Sequence, residues 1–333
     1  MQRLRYHLLP SLLAGVLCWP AAQATDLLTL YRAAINDNPA LKARRLGIDR
    51  ARADAAVAES RLYPQISVQT SASRNDYQDT LSEAHYNGRR TIWSARQAIL
   101  DMPSVYRSDS ARTIIRQTEK EADQARTELF AQLVDQYLNV LQADDELMQL
   151  QSEKEAAQKQ VDRLQAMRQR EMAKVTDLVE GISWLKQLST REIDAANKGE
   201  SARARLRELS GRDPGALALL VRAEFPAVPE SVDYWIRAAQ SANPGIIARR
   251  NALEASKLAA DAARAEHWPQ LSLSLQRNQS NQDIDNSPRR EFTVDSVALE
   301  LRIPIYEGGR ASAGEASARA QQAIAREQLD GLL

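Results

Sequence analysis

The stretch RAAINDNPALKARRLGIDRARADAAVAESRLYPQ at residues 32–65 returns as RAAQSANPGIIARRNALEASKLAADAARAEHWPQ at residues 237–270, offset by 205 with no gap. Arg32-Ala33-Ala34 meets Arg237-Ala238-Ala239, Asn38-Pro39 meets Asn243-Pro244, Ala43-Arg44-Arg45 meets Ala248-Arg249-Arg250, and Pro64-Gln65 meets Pro269-Gln270. With Ala55/Ala260 and Ala58/Ala263 the stretches share 12 of 34 positions. Alanine-rich helices match one another by accident; two proline pairs and a shared Pro-Gln at one offset are harder to dismiss. The chain reads as an internal duplication, and that organises everything else.

Each copy has the same grammar. Asn38-Pro39 and Asn243-Pro244 put proline at a first helical position after an asparagine cap. An alanine-rich helix of roughly 22 residues then runs to Tyr63 or Trp268, where a proline stops it. Alternation takes over: Ile66, Val68 and Thr70 oppose Ser67, Gln69 and Ser71, and Leu271, Leu273 and Leu275 oppose Ser272, Ser274 and Gln276. A polar stretch follows in each copy, Asn75 to Gly88 and Asn278 to Arg290, and then another strand. The clearest has Val297, Leu299, Leu301 and Ile303 on one face and Ser296, Ala298, Glu300 and Arg302 on the other. Its counterpart, Arg89 to Leu100, alternates poorly, with Arg96 and Gln97 adjacent.

Four such strands, each about 9–12 residues and roughly 30–40 Å long, could cross an outer membrane at a tilt. Isolated soluble hairpins are marginal in water, and nothing else in the chain reads as a sheet to cover them. Four strands cannot close a barrel, which needs about eight, and strands facing lipid cannot leave an edge unpaired. Membrane-spanning strands would therefore have to be pooled between subunits. On this reading Ile66, Val68, Leu271, Leu273, Leu275, Val297, Leu299, Leu301 and Ile303 face lipid.

Composition narrows the function classes. Lys+Arg and Asp+Glu balance at 44 each, which argues against nucleic acid, and aromatics are only 5%. Residues 1–24 read as a secretory signal: Arg3 and Arg5, an apolar run from Leu8 to Leu17, then Ala22-Gln23-Ala24. The one cysteine, Cys18, lies in that segment, as does His7, which leaves only His85 and His267, far apart in sequence. Leu17 before Cys18 is bulky where lipidation wants a small residue. Metal, cofactor and triad chemistry have little material, and none is expected. No later window is apolar enough for a membrane helix, which says nothing against a β-barrel.

From about Tyr106 to Ser210 there is no proline, and Gly181 and Gly199 are the only glycines. Ile115, Ala122, Leu129, Leu133, Tyr137, Leu141, Met148, Leu164 and Met167 recur at helical spacing. A turn near Ala173–Asp177 splits the stretch into a helix of nearly 70 residues, about 100 Å long, and one near 35. Such length suits a coiled coil or a tube wall. Ser210-Gly211-Arg212-Asp213-Pro214-Gly215 ends the hairpin, and a linker over 216–230, with Pro226 and Pro229, leads to the second copy. The organisation is thus signal 1–24, first repeat 25–215, linker 216–230 and second repeat 231–333.

Over nearly all of its mature length the chain resembles the TolC-like outer-membrane efflux protein family. The resemblance rests on the paired Asn-Pro and Pro-Gln motifs and on Leu206-Arg207-Glu208-Leu209-Ser210-Gly211. Most specifically it rests on Ile303-Pro304-Ile305-Tyr306-Glu307-Gly308-Gly309-Arg310, which is similar to the family's strand-to-helix junction, with Pro304, Gly308 and Gly309 as junction residues. Its first-copy counterpart is Ala98-Ile99-Leu100-Asp101.

The resemblance implies a mainly α chain with membrane β. Long helical hairpins and four strands per protomer would contribute to a shared trimeric twelve-stranded barrel and a helical tunnel. It implies a homotrimeric duct in the bacterial outer membrane with a periplasmic extension. The duct would meet a periplasmic adaptor and an inner-membrane ABC or proton-driven transporter, and pass drugs or secreted proteins outward without covalent chemistry. Lys174-Val175-Thr176-Asp177 resembles the hairpin tip where family members hold the entrance shut, and this makes Thr176 and Asp177 gate candidates; helix capping is the simpler role. Glu171 stands where the family's tip has glycine.

Copy one runs 110 residues from Asp101 to Gly211, whereas copy two runs 26 from Glu307 to Leu333, so the second repeat reads as incomplete at its C-terminus. The competing readings are a periplasmic coiled-coil adaptor and a structural protein without membrane crossing. Adaptors carry glycine-dense β-rich domains that are not found here.

Overall fold

The computed structural model describes residues 24–80, 82–219, 231–283 and 288–333. The expected signal peptide up to Gln23, and the linker residues Pro226 and Pro229, lie outside them. The first copy comprises α1 (Leu27–Asp37), α2 (Pro39–Ser60), β1 (Gln65–Asp79), β2 (Ser82–Leu100), α3 (Met102–Gln169) and α4 (Val175–Ser210). The second comprises α5 (Val232–Ala242), α6 (Pro244–Ala265), β3 (Gln270–Gln282), β4 (Pro288–Arg302) and α7 (Arg310–Asp330).

The offset of 205 carries α1 onto α5, α2 onto α6 and the first residue of β1 onto that of β3 without slip. It also matches the caps. Asp26 accepts the Thr29 N–H, and Ser231, at the equivalent position, accepts that of Tyr234. The Thr29 contacts hold the Asp26 carboxyl below its ordinary range. Asn243 accepts N–H bonds from Gly245 and Ile246, as its place before Pro244 predicts. Asn38 is buried, and its amide donates to the Leu209 carbonyl at the end of α4.

Two expectations need correction. The helices α2 and α6 end at Ser60 and Ala265, short of Tyr63 and Trp268. A tight turn intervenes, with Tyr63 N–H bonded to Ser60 and Trp268 N–H to Ala265, because the residue before a proline is pushed out of helical geometry. The strands are also longer than expected, at 15, 19, 13 and 15 residues, and take in most of the polar stretches read as connections. A ladder needs backbone groups, not apolar side chains. Asn75 pairs with Tyr86 and Asp76 with His85, whose Nδ1 lies 2.6 Å from the Asp76 carboxylate.

The strands form one antiparallel sheet in the order β1-β2-β3-β4, so β1 and β4 are edges. Among the described residues two compact units result, one from residues 24–38 with 129–219, the other from 39–128 with 231–333.

In the first unit Leu133, Val140, Leu188 and Leu206 are fully buried between α3 and α4, beside Leu30 of α1. The Tyr137 hydroxyl donates to the Ala218 carbonyl, and burial raises its pKa. Of the predicted apolar stripe on α3, Leu129, Leu133 and Tyr137 are buried here and Ala122 in the second unit, but Met148 is 65% exposed and Met167 is exposed too. Over 68 residues a 3.6-residue period drifts, and further along α3 it is Ala143, Leu150 and Val161, with Leu164 of the predicted stripe, that lie against α4.

In the second unit alanines dominate: Ala51, Ala55, Ala248, Ala255, Ala260, Ala262, Ala265, Ala311 and Ala325 are buried, which permits close helix approach. Ser110 of α3 donates to the Ala255 carbonyl, and Arg52 on α2 reaches Glu119 on α3 at 3.0 Å.

Candidate functional site

The sheet has two chemically distinct faces, fixed by register. Ile66, Ala95, Leu275 and Val297 share one rung; on the same face Leu273 pairs with Leu299 and Leu271 with Leu301. Eight of the nine predicted apolar-face residues therefore lie together, while Ile303 falls just beyond β4. The opposite face carries Ser67, Ser94, Gln276 and Ser296 on one rung. There Ser67 and Ser94 hydroxyls bond at 2.7 Å, and Arg96 reaches Glu300 at 2.6 Å over Ser272 and Ser274 of the intervening strand.

Sequence alternation missed the β2 members Trp93, Ala95 and Leu100, and the structure says why. Gln97 lies on the apolar face and Arg96 on the other, with a register shift between Ala98 and Leu100 that changes the phase. The Gln97 amide is satisfied internally, donating to the Leu62 and Ala98 carbonyls at 2.8 Å each. Pairing identifies these residues: Trp93 and Ala95 through Val68 and Ile66 of β1, and Leu100 through Leu271 of β3.

Below the sheet the two copies turn from strand to helix by different chemistry. Asp101 accepts the Ser104 N–H at 3.1 Å and its hydroxyl proton at 2.6 Å, capping α3. In the second copy Pro304 leads to Gly308 and Gly309, at φ 63° and 82°, before α7 begins. A Cβ at either glycine would meet nothing within 4 Å, so backbone conformation alone requires them. Gly309→Ala is expected to cost about 1 kcal/mol in a denaturant melt, and Gly314→Ala, inside α7 with equal space, to stabilise by up to about 1 kcal/mol. Glu307 is held below the usual carboxylate range by Arg310 and then Arg302, which ties the junction to the end of β4.

The hairpin tip turns at Arg170–Lys174, earlier than the predicted Ala173–Asp177. Met172 N–H bonds the Met167 carbonyl and Glu171 N–H that of Arg168, the Schellman pattern. Glu171 occupies the left-handed position at φ 58°, so glutamate adopts the conformation for which glycine is the usual residue. Glu171→Gly should therefore raise hairpin stability by about 1 kcal/mol in thermal or urea unfolding. Lys174 is the N-cap residue of α4 and makes no side-chain cap bond. Thr176 and Asp177 fall in the exposed first turn, 3.3 Å apart through hydroxyl and carboxylate, and the acid suits the helix N-terminus. Neither is the cap residue.

Among the described residues no group of three or more His, Cys, Asp or Glu could hold a metal ion, and no helix is long and apolar enough to cross a membrane.

Residues 30–212 and 235–331 match the family described as outer membrane efflux protein. The chain is 24% identical to outer membrane protein TolC of Vibrio cholerae over 87% of its own length and 67% of that protein. It is 23% identical to the alkaline protease secretion protein AprF of Pseudomonas aeruginosa, covering 86% of this chain and 62% of that one. The chain thus spans about two thirds of the length of these relatives. The solved Campylobacter jejuni CmeC outer membrane channel superposes with a TM-score of 0.82 over 92% of this chain and 67% of that one, at 16% identity. A CusC structure superposes at 0.78 over 92% and 71%, at 19% identity. The two matched segments take in both repeats, with all four strands and the whole of the long hairpin, and the chain belongs to the outer membrane efflux protein family.

Proposed function

We propose that this chain is the outer-membrane exit duct of a type I secretion or efflux system, assembled as a homotrimer. The observation that carries the reading is the sheet: four antiparallel strands with an apolar stripe running across one face and two edges that no other strand of the chain pairs among the described residues. In lipid an open edge leaves backbone groups without partners, and four strands enclose nothing. Three copies joined β4 to β1 supply a closed barrel of twelve.

The slope of the apolar stripe supports this. Ile66 and Val68 on β1 share rungs with Val297 and Asp295, whereas the apolar residues of β4, Val297 to Leu301, centre about three residues lower. A level membrane band would cross the strands this way at a tilt of roughly 35°. Tyr63, Trp268 and Tyr306, exposed at the strand ends beside the helices, suit the inner interface. Leu46, Val57, Ile114, Phe130 and Ile193 are exposed on the helices and await neighbours in a tube wall.

The partners on this reading are a periplasmic adaptor and an inner-membrane ABC or proton-driven transporter, and the duct itself performs no covalent step. An outer-membrane pellet in which the unheated chain migrates as a trimer is the expected result of fractionation and gel analysis. A soluble periplasmic monomer would sink the duct and favour the adaptor. Thr176 and Asp177 are the proposed entrance contacts. Asp177→Ala should raise passive conductance across a reconstituted bilayer, and unchanged conductance and antibiotic sensitivity would remove them from the gate.

A further inference from the structure

Above the apolar stripe the same face of the sheet changes character. A concavity of about 820 Å³ is lined there by Arg74, Arg89, Thr91, Gln279, Asn281 and Glu291. Register puts Arg74, Arg89, Thr91 and Gln279 on the apolar-stripe side: Thr91 pairs with Thr70 and Gln279, Arg89 with Ala72, and Arg74 follows two residues on from Ala72.

The arginines around this hollow differ. Arg277 is claimed by Asp295 through two contacts at 2.6 and 2.8 Å, and Arg289 by Asp283 at 2.9 Å. Neither Arg74 nor Arg89 has a carboxylate partner among the described residues. They sit as diagonal neighbours across β1 and β2, where like charges repel unless an anion lies between them. The backbone beneath is fixed: the Asn281 amide donates to the Asn87 carbonyl at 2.9 Å and accepts the Arg89 N–H at 2.6 Å. Glu291 is the one acid on the rim.

Height gives the ligand. Ala72, level with Arg89, lies six residues beyond Ile66, roughly 20 Å along the strand and about 15 Å up a tilted barrel wall. That is the outer edge of an apolar band about 25 Å tall whose lower limit lies near Tyr63.

We propose that Arg74 and Arg89 bind the phosphate of a phosphorylated sugar headgroup belonging to an outer-leaflet lipid, with Thr91 and Gln279 meeting the sugar hydroxyls. This inference rests on the reading that the apolar face meets lipid. Guanidinium forks match phosphate geometry, and amide and hydroxyl groups beside them suit a saccharide better than a bare anion.

The test uses the full chain reconstituted in phosphatidylcholine vesicles containing lipid A, a phosphorylated disaccharide lipid, with retained lipid per protomer measured by mass spectrometry after detergent extraction. Arg74→Gln/Arg89→Gln should retain about tenfold less lipid A with unchanged oligomer mobility on an unheated gel. Glu291→Gln, which removes the opposing charge, should retain more. Retention unchanged in both variants, or phosphatidylglycerol held as well as lipid A, would overturn the site. A spin label at Val297→Cys distinguishes this from failure of the underlying reading. Relaxation by oxygen and not by a water-soluble nickel chelate keeps the lipid-facing assignment, whereas the reverse removes both.

Discussion

Leu273→Arg is expected to lower barrel stability by about 2–4 kcal/mol and to reduce assembled protein in the outer membrane. Leu273 sits mid-stripe on β3, paired with Leu299 and flanked along the strand by Leu271 and Leu275. On a lipid-facing wall an arginine there must bury its charge in hydrocarbon or deform the bilayer around it. Ser272→Arg, one residue away, is the contrasting case. Ser272 points to the other face and shares a rung with Glu300, so a new guanidinium meets water and a carboxylate. That change should cost under about 1 kcal/mol. Urea unfolding of the reconstituted protein measures both, and equal losses at the two positions would show that the faces do not differ in solvent.

Leu188→Ala should be the most damaging change in the helical hairpin, at about 2–5 kcal/mol. Leu188 is fully buried on α4 and packs in a cluster with Leu150 and Ala195, against Leu147 and Ala157. Two long helices leave few other contacts to close over the cavity. Met148→Ala, next to Leu147 in sequence but largely exposed on another side of α3, should change stability by less than about 0.5 kcal/mol in the isolated chain. Equilibrium denaturation separates the two. A Met148→Ala loss that appears only in the assembled protein would identify Met148 as a position covered by a neighbouring subunit.

Much of this architecture is written in local sequence. Asn243 ahead of Pro244, the uninterrupted run that becomes the 68 residues of α3, and Gly308-Gly309 before α7 each have a backbone reason that acts within a few residues. The strand β4 was legible because Val297, Leu299 and Leu301 alternate strictly. In β2, Gln97 stands on the apolar face, bonded to carbonyls a sequence pattern cannot see, and the shift near Ala98 breaks the period. The hairpin tip was placed late because Glu171 takes a left-handed conformation that glycine usually signals. The hollow with Arg74 and Arg89 had no local signal, since its residues lie 205 positions apart between Arg74 and Gln279.

By itself the sequence determined the duplication, the order of helix and strand in each copy, and which strand residues are apolar, because caps, prolines and alternation act over one to four neighbours. Only the tertiary structure decided which strand lies beside which, that the apolar sides of all four meet on one face, and where arginines are left without acids. Those depend on register between segments up to two hundred residues apart, and hydrogen bonds between strands leave no local periodicity to read.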